Sequence, residues 1–119
     1  MNRFIAVAAA LVMTAGPVHA QDPLKVASKN YSVVLENDQV RVLRGILAPG
    51  DKTPLHEHPA TVVVPLSDAT GRFMGADGKG EERKMTAGTP LYIPADKHGV
   101  ENIGKNRVEV IIVELKGKR

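Results

Sequence analysis

After residue 20 no stretch of this chain keeps apolar side chains at helical spacing; it runs as short β-type segments cut by Gly, Pro and Asp. Residues 31–36 (YSVVLE) and 39–48 (QVRVLRGILA) flank the turn pair Asn37 and Asp38, and Pro49, Gly50 and Asp51 break the chain again. Residues 55–66 read as one strand, 72–75 as a short one, and 76–80 (ADGKG) as a turn leading to 82–86. Residues 91–93, 98–103 and 108–115 (VEVIIVEL) complete about eight strands, a number and spacing that imply an all-β barrel or jelly roll over residues 31–115. The last strand is apolar on both faces, as expected of a strand buried between the core and a second sheet or a second subunit.

The ends are read separately. Residues 1–3 form a short basic stretch, residues 4–13 (FIAVAAALVM) an apolar run, and residues 14–20 (TAGPVHA) end with Val18 and Ala20 where a signal peptidase reads. Residues 1–20 are therefore expected to be a signal peptide cleaved after Ala20, with a periplasmic or secreted product. The apolar run is too short to span a bilayer, which takes roughly 20 residues. Residues 21–30 are expected to be an N-terminal arm and residues 116–119 (KGKR) a solvated basic tail.

Without Arg3, the 16 Lys and Arg become 15 against 13 Asp and Glu, a net charge near +2 scattered along the chain. Nucleic acid wants a clustered basic face, so it is excluded as a partner, and no membrane partner is expected once the signal peptide is gone. There is no Cys, hence no disulfide to staple a domain this small. A metal or a homodimer interface is left to help hold it.

His56 and His58 are two apart on a predicted strand, so their side chains share a face about 6.6 Å apart at a rise of roughly 3.3 Å per residue. Imidazoles so placed can converge on one ion with bonds of about 2.0–2.1 Å. Alone, such a pair is more often exposed and inert. His19 leaves with the signal peptide, and His98 is the third histidine of the mature chain.

Two stretches change that reading. Gly50 precedes His56 by five intervening residues, and further on comes GTPLYIPADKHGVEN, residues 88–102. Gly50, His56 and His58 resemble the first motif of the cupin superfamily (Gly, five residues, His-x-His, three or four residues, Glu, six residues, Gly). Gly88, Pro94, His98 and Asn102 resemble its second. The resemblance covers residues 31–115 and implies a small single-domain cupin barrel, a double-stranded β-helix or jelly roll, with His56, His58 and His98 as metal ligands.

The motifs are degenerate. Pro94 is one residue too close to His98, with Asp96 where a Gly is usual, and Gly71 comes two places late. The glutamate position falls on Val62. Strict alternation from the histidines puts Ala60, Val62 and Val64 on the inward face with them, while Glu57 and Glu101 point away. Asp51, Asp68 and Asp96 read as solvated turn residues, leaving a neutral three-histidine site with no carboxylate ligand.

Such a site leaves a divalent ion its full charge and favours a small anionic, chelating molecule. Three protein ligands also leave positions open, as in non-haem iron oxygenases. The resemblance thus implies one divalent transition metal, Fe favoured on its chemistry with Zn, Mn, Ni or Cu as alternatives, and a metal-dependent dioxygenase as one activity. The other readings are a noncatalytic barrel binding a small ligand or metal, and an inert structural cupin acting as a homodimer. Tyr92, Arg44 and Arg72 are candidate polar groups for the site without an assigned role, and Met74 and Met85 read as core.

Overall fold

The computed structural model describes residues 21–117; the expected signal peptide lies outside them, as do residues 118 and 119 of the basic tail. A single helical turn, α1 (Pro23–Val26), comes first. Asp22 caps it by accepting a hydrogen bond from the Leu24 amide, and Pro23 occupies a first-turn position where its missing N–H costs nothing.

Nine strands follow among the described residues: β1 (Tyr31–Glu36), β2 (Val40–Leu47), β3 (His56–His58), β4 (Thr61–Pro65), β5 (Ala69–Gly75), β6 (Gly80–Met85), β7 (Leu91–Ile93), β8 (Asp96–Asn102) and β9 (Val108–Leu115). They form two antiparallel sheets, one in the order β1-β2-β9-β4-β7 and the other β3-β8-β5-β6. The all-β jelly roll expected from the spacing of turns is the fold found.

Local chemistry sets the corners. The Asn37 side chain accepts hydrogen bonds from the amides of Gln39 and Val40, closing the β1–β2 hairpin. The two motif glycines, Gly50 and Gly88, sit at φ +82° and +77°, a left-handed conformation that disfavours any other residue. No such demand falls on Asp96, which is extended at the start of β8; this is why the motif tolerates losing a Gly there.

Apolar side chains from both sheets meet between them, with Leu43, Leu47, Val63 and Ile112 contributed by one and Ala69 and Met85 by the other. Leu43 is wholly buried, a transfer that stabilises by roughly 1.5–3 kcal/mol. β9 lies between β2 and β4, and buries Val108, Val110, Ile112 and Glu114 on its inner face. Its outer residues Ile111 and Val113 are half-buried in the single chain.

The segment 55–66 departs from expectation in a way that reorganises the site. It is two strands: β3 pairs with β8 in the four-stranded sheet, while β4 pairs with β7 and β9 in the other. The chain crosses at Pro59 and Ala60, and the alternation of faces does not survive the crossing. Thr61, Val63 and Pro65 are buried inward; Val62 and Val64 lie on the opposite face. The position at the glutamate's place on the inner wall is thus Val63, separated from His58 by four residues, the longer interval the motif allows.

Candidate metal centre

The antiparallel register of β3 and β8 sets His56 directly opposite His98, and His58 opposite Asp96. Since i and i+2 share a face, all three histidines project from the four-stranded sheet into the barrel. Each is buried, His56 completely. Ring centroids are 4.8 Å apart for His56 and His58, 4.9 Å for His56 and His98, and 5.3 Å for His58 and His98. Their ligand nitrogens lie within 4.8 Å of one another, so the three could hold one metal ion.

The outer nitrogen of each ring is anchored. His56 Nδ1 lies 2.8 Å from the Pro54 carbonyl, His58 Nδ1 2.7 Å from Glu114 Oε2, and His98 Nδ1 3.1 Å from Asp96 Oδ2. A carbonyl or an ionised carboxylate can only accept, so each Nδ1–H donates, and a ring in its neutral form then has its lone pair on Nε2. His56 Nε2 is buried with no hydrogen-bond partner, a condition that costs about 1–3 kcal/mol unless something else binds it. This donor set fits a divalent transition metal.

Burial lowers His56 to about 4, against the opposing pull of the Pro54 carbonyl, and the neighbouring histidines lower it further. Burial likewise lowers His98, partly offset by Asp96. Both rings are therefore neutral at neutral pH, the state a ligand needs.

Glu114 is the carboxylate that sequence reasoning missed. It reaches His58 from the opposite sheet, 2% exposed, between its cross-strand partners Arg41 of β2 and Thr61 of β4. Burial alone would raise its carboxyl; hydrogen bonds from His58 and Arg41 outweigh that and hold it below the usual range. The signal was present in strand parity. Glu109 and Glu114 are an odd number of residues apart on one strand, so one had to face inward; Arg41 and Arg44 pose the same choice on the neighbouring strand.

The structure resolves both choices. Arg41 and Glu114 point in, while Arg44 and Glu109 pair on the outside at 3.3 Å. Arg72 pairs with Glu82 and Glu101 on the outer surface, and Tyr92 is 65% exposed. None of the three candidate polar groups, Tyr92, Arg44 or Arg72, reaches the cluster. The aromatic neighbours are instead Tyr31, with its ring centroid 5.4 Å from His56, and Phe73, 5.7 Å from His98. Burial pushes the Tyr31 phenol up to about 12, so it stays protonated.

One further expectation changes. Asp96 is not a free turn residue but starts β8 on the same face as His98 and holds its ring. Asn102 of the second motif is structural: its amide donates to the carbonyls of Leu47 and Asn106, and its oxygen accepts from the Gly104 amide.

A cavity of about 60 Å³ adjoins His58 and His98, walled largely by apolar side chains including Leu47, Val63, Phe73 and Ile112. No Lys or Arg is among the described residues that line it.

No family model matches the sequence, and none of the curated proteins matches it. Solved structures do. A cupin domain from Bordetella pertussis Tohama I is similar at a TM-score of 0.68 and 25% identity, over 73% of this chain and 92% of that one. An uncharacterised protein with a double-stranded β-helix domain from Klebsiella pneumoniae gives 0.60 and 25%, over 74% and 72% of the two chains. A cupin 2 conserved barrel domain protein from Salinispora arenicola gives 0.56 and 17%, over 73% and 75%. The chain has the double-stranded β-helix fold of small single-domain cupins, the fold that the resemblance of its motifs implied.

Proposed function

We propose that this cupin binds one divalent transition metal through Nε2 of His56, His58 and His98, and acts on a small anionic, chelating organic molecule at the positions left open. The observation that carries this reading is the buried, unpartnered Nε2 of His56 beside two further histidines, with all three Nδ1 atoms held. Three neutral imidazoles leave the ion its double charge, and the cavity wall supplies no cation to balance an anionic ligand. The ligand's negative group therefore goes to the metal and its apolar body to the cavity.

Iron is favoured on its chemistry. A divalent iron with open positions supplies joint binding of dioxygen and a chelating substrate, the basis of a dioxygenase reaction. The chain's own contribution is to orient the ligand rings, to exclude water with the apolar wall, and to keep the Tyr31 phenol protonated beside His56. Zn, Mn, Ni or Cu would fit the same donors.

A noncatalytic binding barrel is the second reading. It is favoured by the scarcity of acid–base groups on the cavity wall, where the histidines are expected to be occupied by metal. Oxygen consumption by the iron-loaded protein, screened against small chelating acids with apolar bodies, separates the two. Uptake that is abolished in His56→Ala supports an oxygenase. Retained metal and ligand without oxygen uptake supports the binding barrel.

Export follows from the signal-peptide pattern of residues 1–20, giving a periplasmic or secreted protein. Self-association as a homodimer has support from the edge strand β1, where Val33, Val34 and Leu35 are 43%, 48% and 54% exposed.

A further inference from the structure

The histidine cluster is tied to the N-terminal turn by an unbroken chain of charged hydrogen bonds. His58 Nδ1 donates to Glu114 Oε2, Arg41 Nε donates to Glu114 Oε1, and the Arg41 fork closes on Asp22, Nη1 to Oδ2 at 2.8 Å and Nη2 to Oδ1 at 3.1 Å. Asp22 Oδ1 also accepts from the Leu24 amide that begins α1. A second link is independent of these side chains: the Gln21 carbonyl accepts a hydrogen bond of 3.0 Å from the amide of Glu57, the residue between His56 and His58. Pro23 is wholly buried, so the turn is seated against the barrel.

We propose that Glu114 is a positioning residue that fixes the His58 ring for metal binding, and that Arg41 and Asp22 couple the seating of the N-terminal turn to metal affinity. The proposal rests on the three-histidine site. A carboxylate behind a ligand histidine sets its tautomer and ring angle and raises its basicity. Here the carboxylate comes from the sheet opposite the one that carries the histidines, so its aim depends on Arg41. Bidentate Arg–carboxylate pairing in turn makes Arg41 depend on Asp22. Loosening the turn therefore frees Arg41, then Glu114, then the His58 ring.

The test uses Glu114→Gln and Asp22→Asn, both close in volume, the second keeping an N-cap side chain. Zinc affinity is measured by chelator competition. Nitrogen-15 NMR of the imidazoles reads the tautomer in the metal-free protein. Glu114→Gln is expected to weaken zinc binding about 10–100-fold and to move His58 from a single Nδ1–H tautomer to a mixture, while His56, held by the Pro54 carbonyl, is unchanged. Asp22→Asn is expected to weaken zinc binding in the same direction by less, and the double variant to lose no more than Glu114→Gln alone.

Unchanged His58 tautomer and zinc affinity within about twofold in Glu114→Gln would overturn the positioning role. Losses in the double variant that multiply independently would overturn the coupling. The tautomer readout needs no metal: a fixed His58 ring released by Glu114→Gln, in a parent protein that takes up no zinc, would support the positioning of the ring and overturn the metal site itself.

Discussion

His56 and His98 are direct cross-strand partners in the β3–β8 pair, with ring centroids 4.9 Å apart and planes nearly perpendicular. Two imidazoles buried at that separation, one with a free and unpartnered nitrogen, are a costly way to fill a barrel. That cost is what a bound ion would offset.

His56→Leu is accordingly expected to separate stability from metal binding. The substitution removes an unsatisfied buried nitrogen, worth about 1–3 kcal/mol, and loses one hydrogen bond to Pro54. The metal-free variant should unfold in urea within about 1 kcal/mol of the parent, or be more stable, while binding no metal. A loss of several kcal/mol would mean that His56 is chiefly a packing residue.

Metal-free stability should fall on acidification through the histidine range. Burial depresses His56 from 6.5 to about 4, and His98 in the same direction. Between those values the unfolded chain binds protons that the folded chain refuses, so stability is fully present above about pH 6.5 and declines as pH falls toward 4. Glu114, also depressed, adds a loss in the same direction lower in the acid range. Urea titrations at pH 7, 5.5 and 4.5 measure the slope, which His56→Leu should flatten.

Gly45→Ala is expected to disturb the site from outside it. A Cβ at Gly45 would sit 2.9 Å from Val110 Cγ2 and 3.0 Å from Tyr31 Cε1, so the Tyr31 ring can lie across β2 only because position 45 has no side chain. Overpacking of this kind costs about 1–3 kcal/mol. With Tyr92→Phe as background, Tyr31 is the sole tyrosine, and the near-ultraviolet circular dichroism it gives against His56 should weaken along with the melting temperature.

Gly50→Ala should act differently. Nothing lies near its missing Cβ, but its φ of +82° disfavours an L side chain, at a cost of about 1–2 kcal/mol. The melting temperature should drop while metal stoichiometry stays that of the parent, since the turn carries no ligand.

Strand positions and the histidine cluster were legible in the sequence because both rest on local spacing. Turn residues mark where strands stop, and His-x-His on a strand shares a face whatever the fold does elsewhere. The inner wall was less legible, because its composition depends on where the chain changes sheets. Alternation from His58 places Val62 on the inner face, but the crossing at Pro59 and Ala60 resets it, and Val63 stands there instead. Glu114 is hidden differently: strand parity requires one glutamate of VEVIIVEL to face inward without saying which, only the β2–β9 register shows that it meets Arg41, and only the packing of the two sheets brings it to His58.

The most direct test is elemental mass spectrometry of untagged residues 21–119 and of their His58→Ala variant, each as purified and after reconstitution with iron or zinc. About one transition-metal ion per chain in the parent, absent from the variant, is the expected result. No metal in the parent under either condition, or full metal retention in His58→Ala, would contradict a metal centre built on His56, His58 and His98.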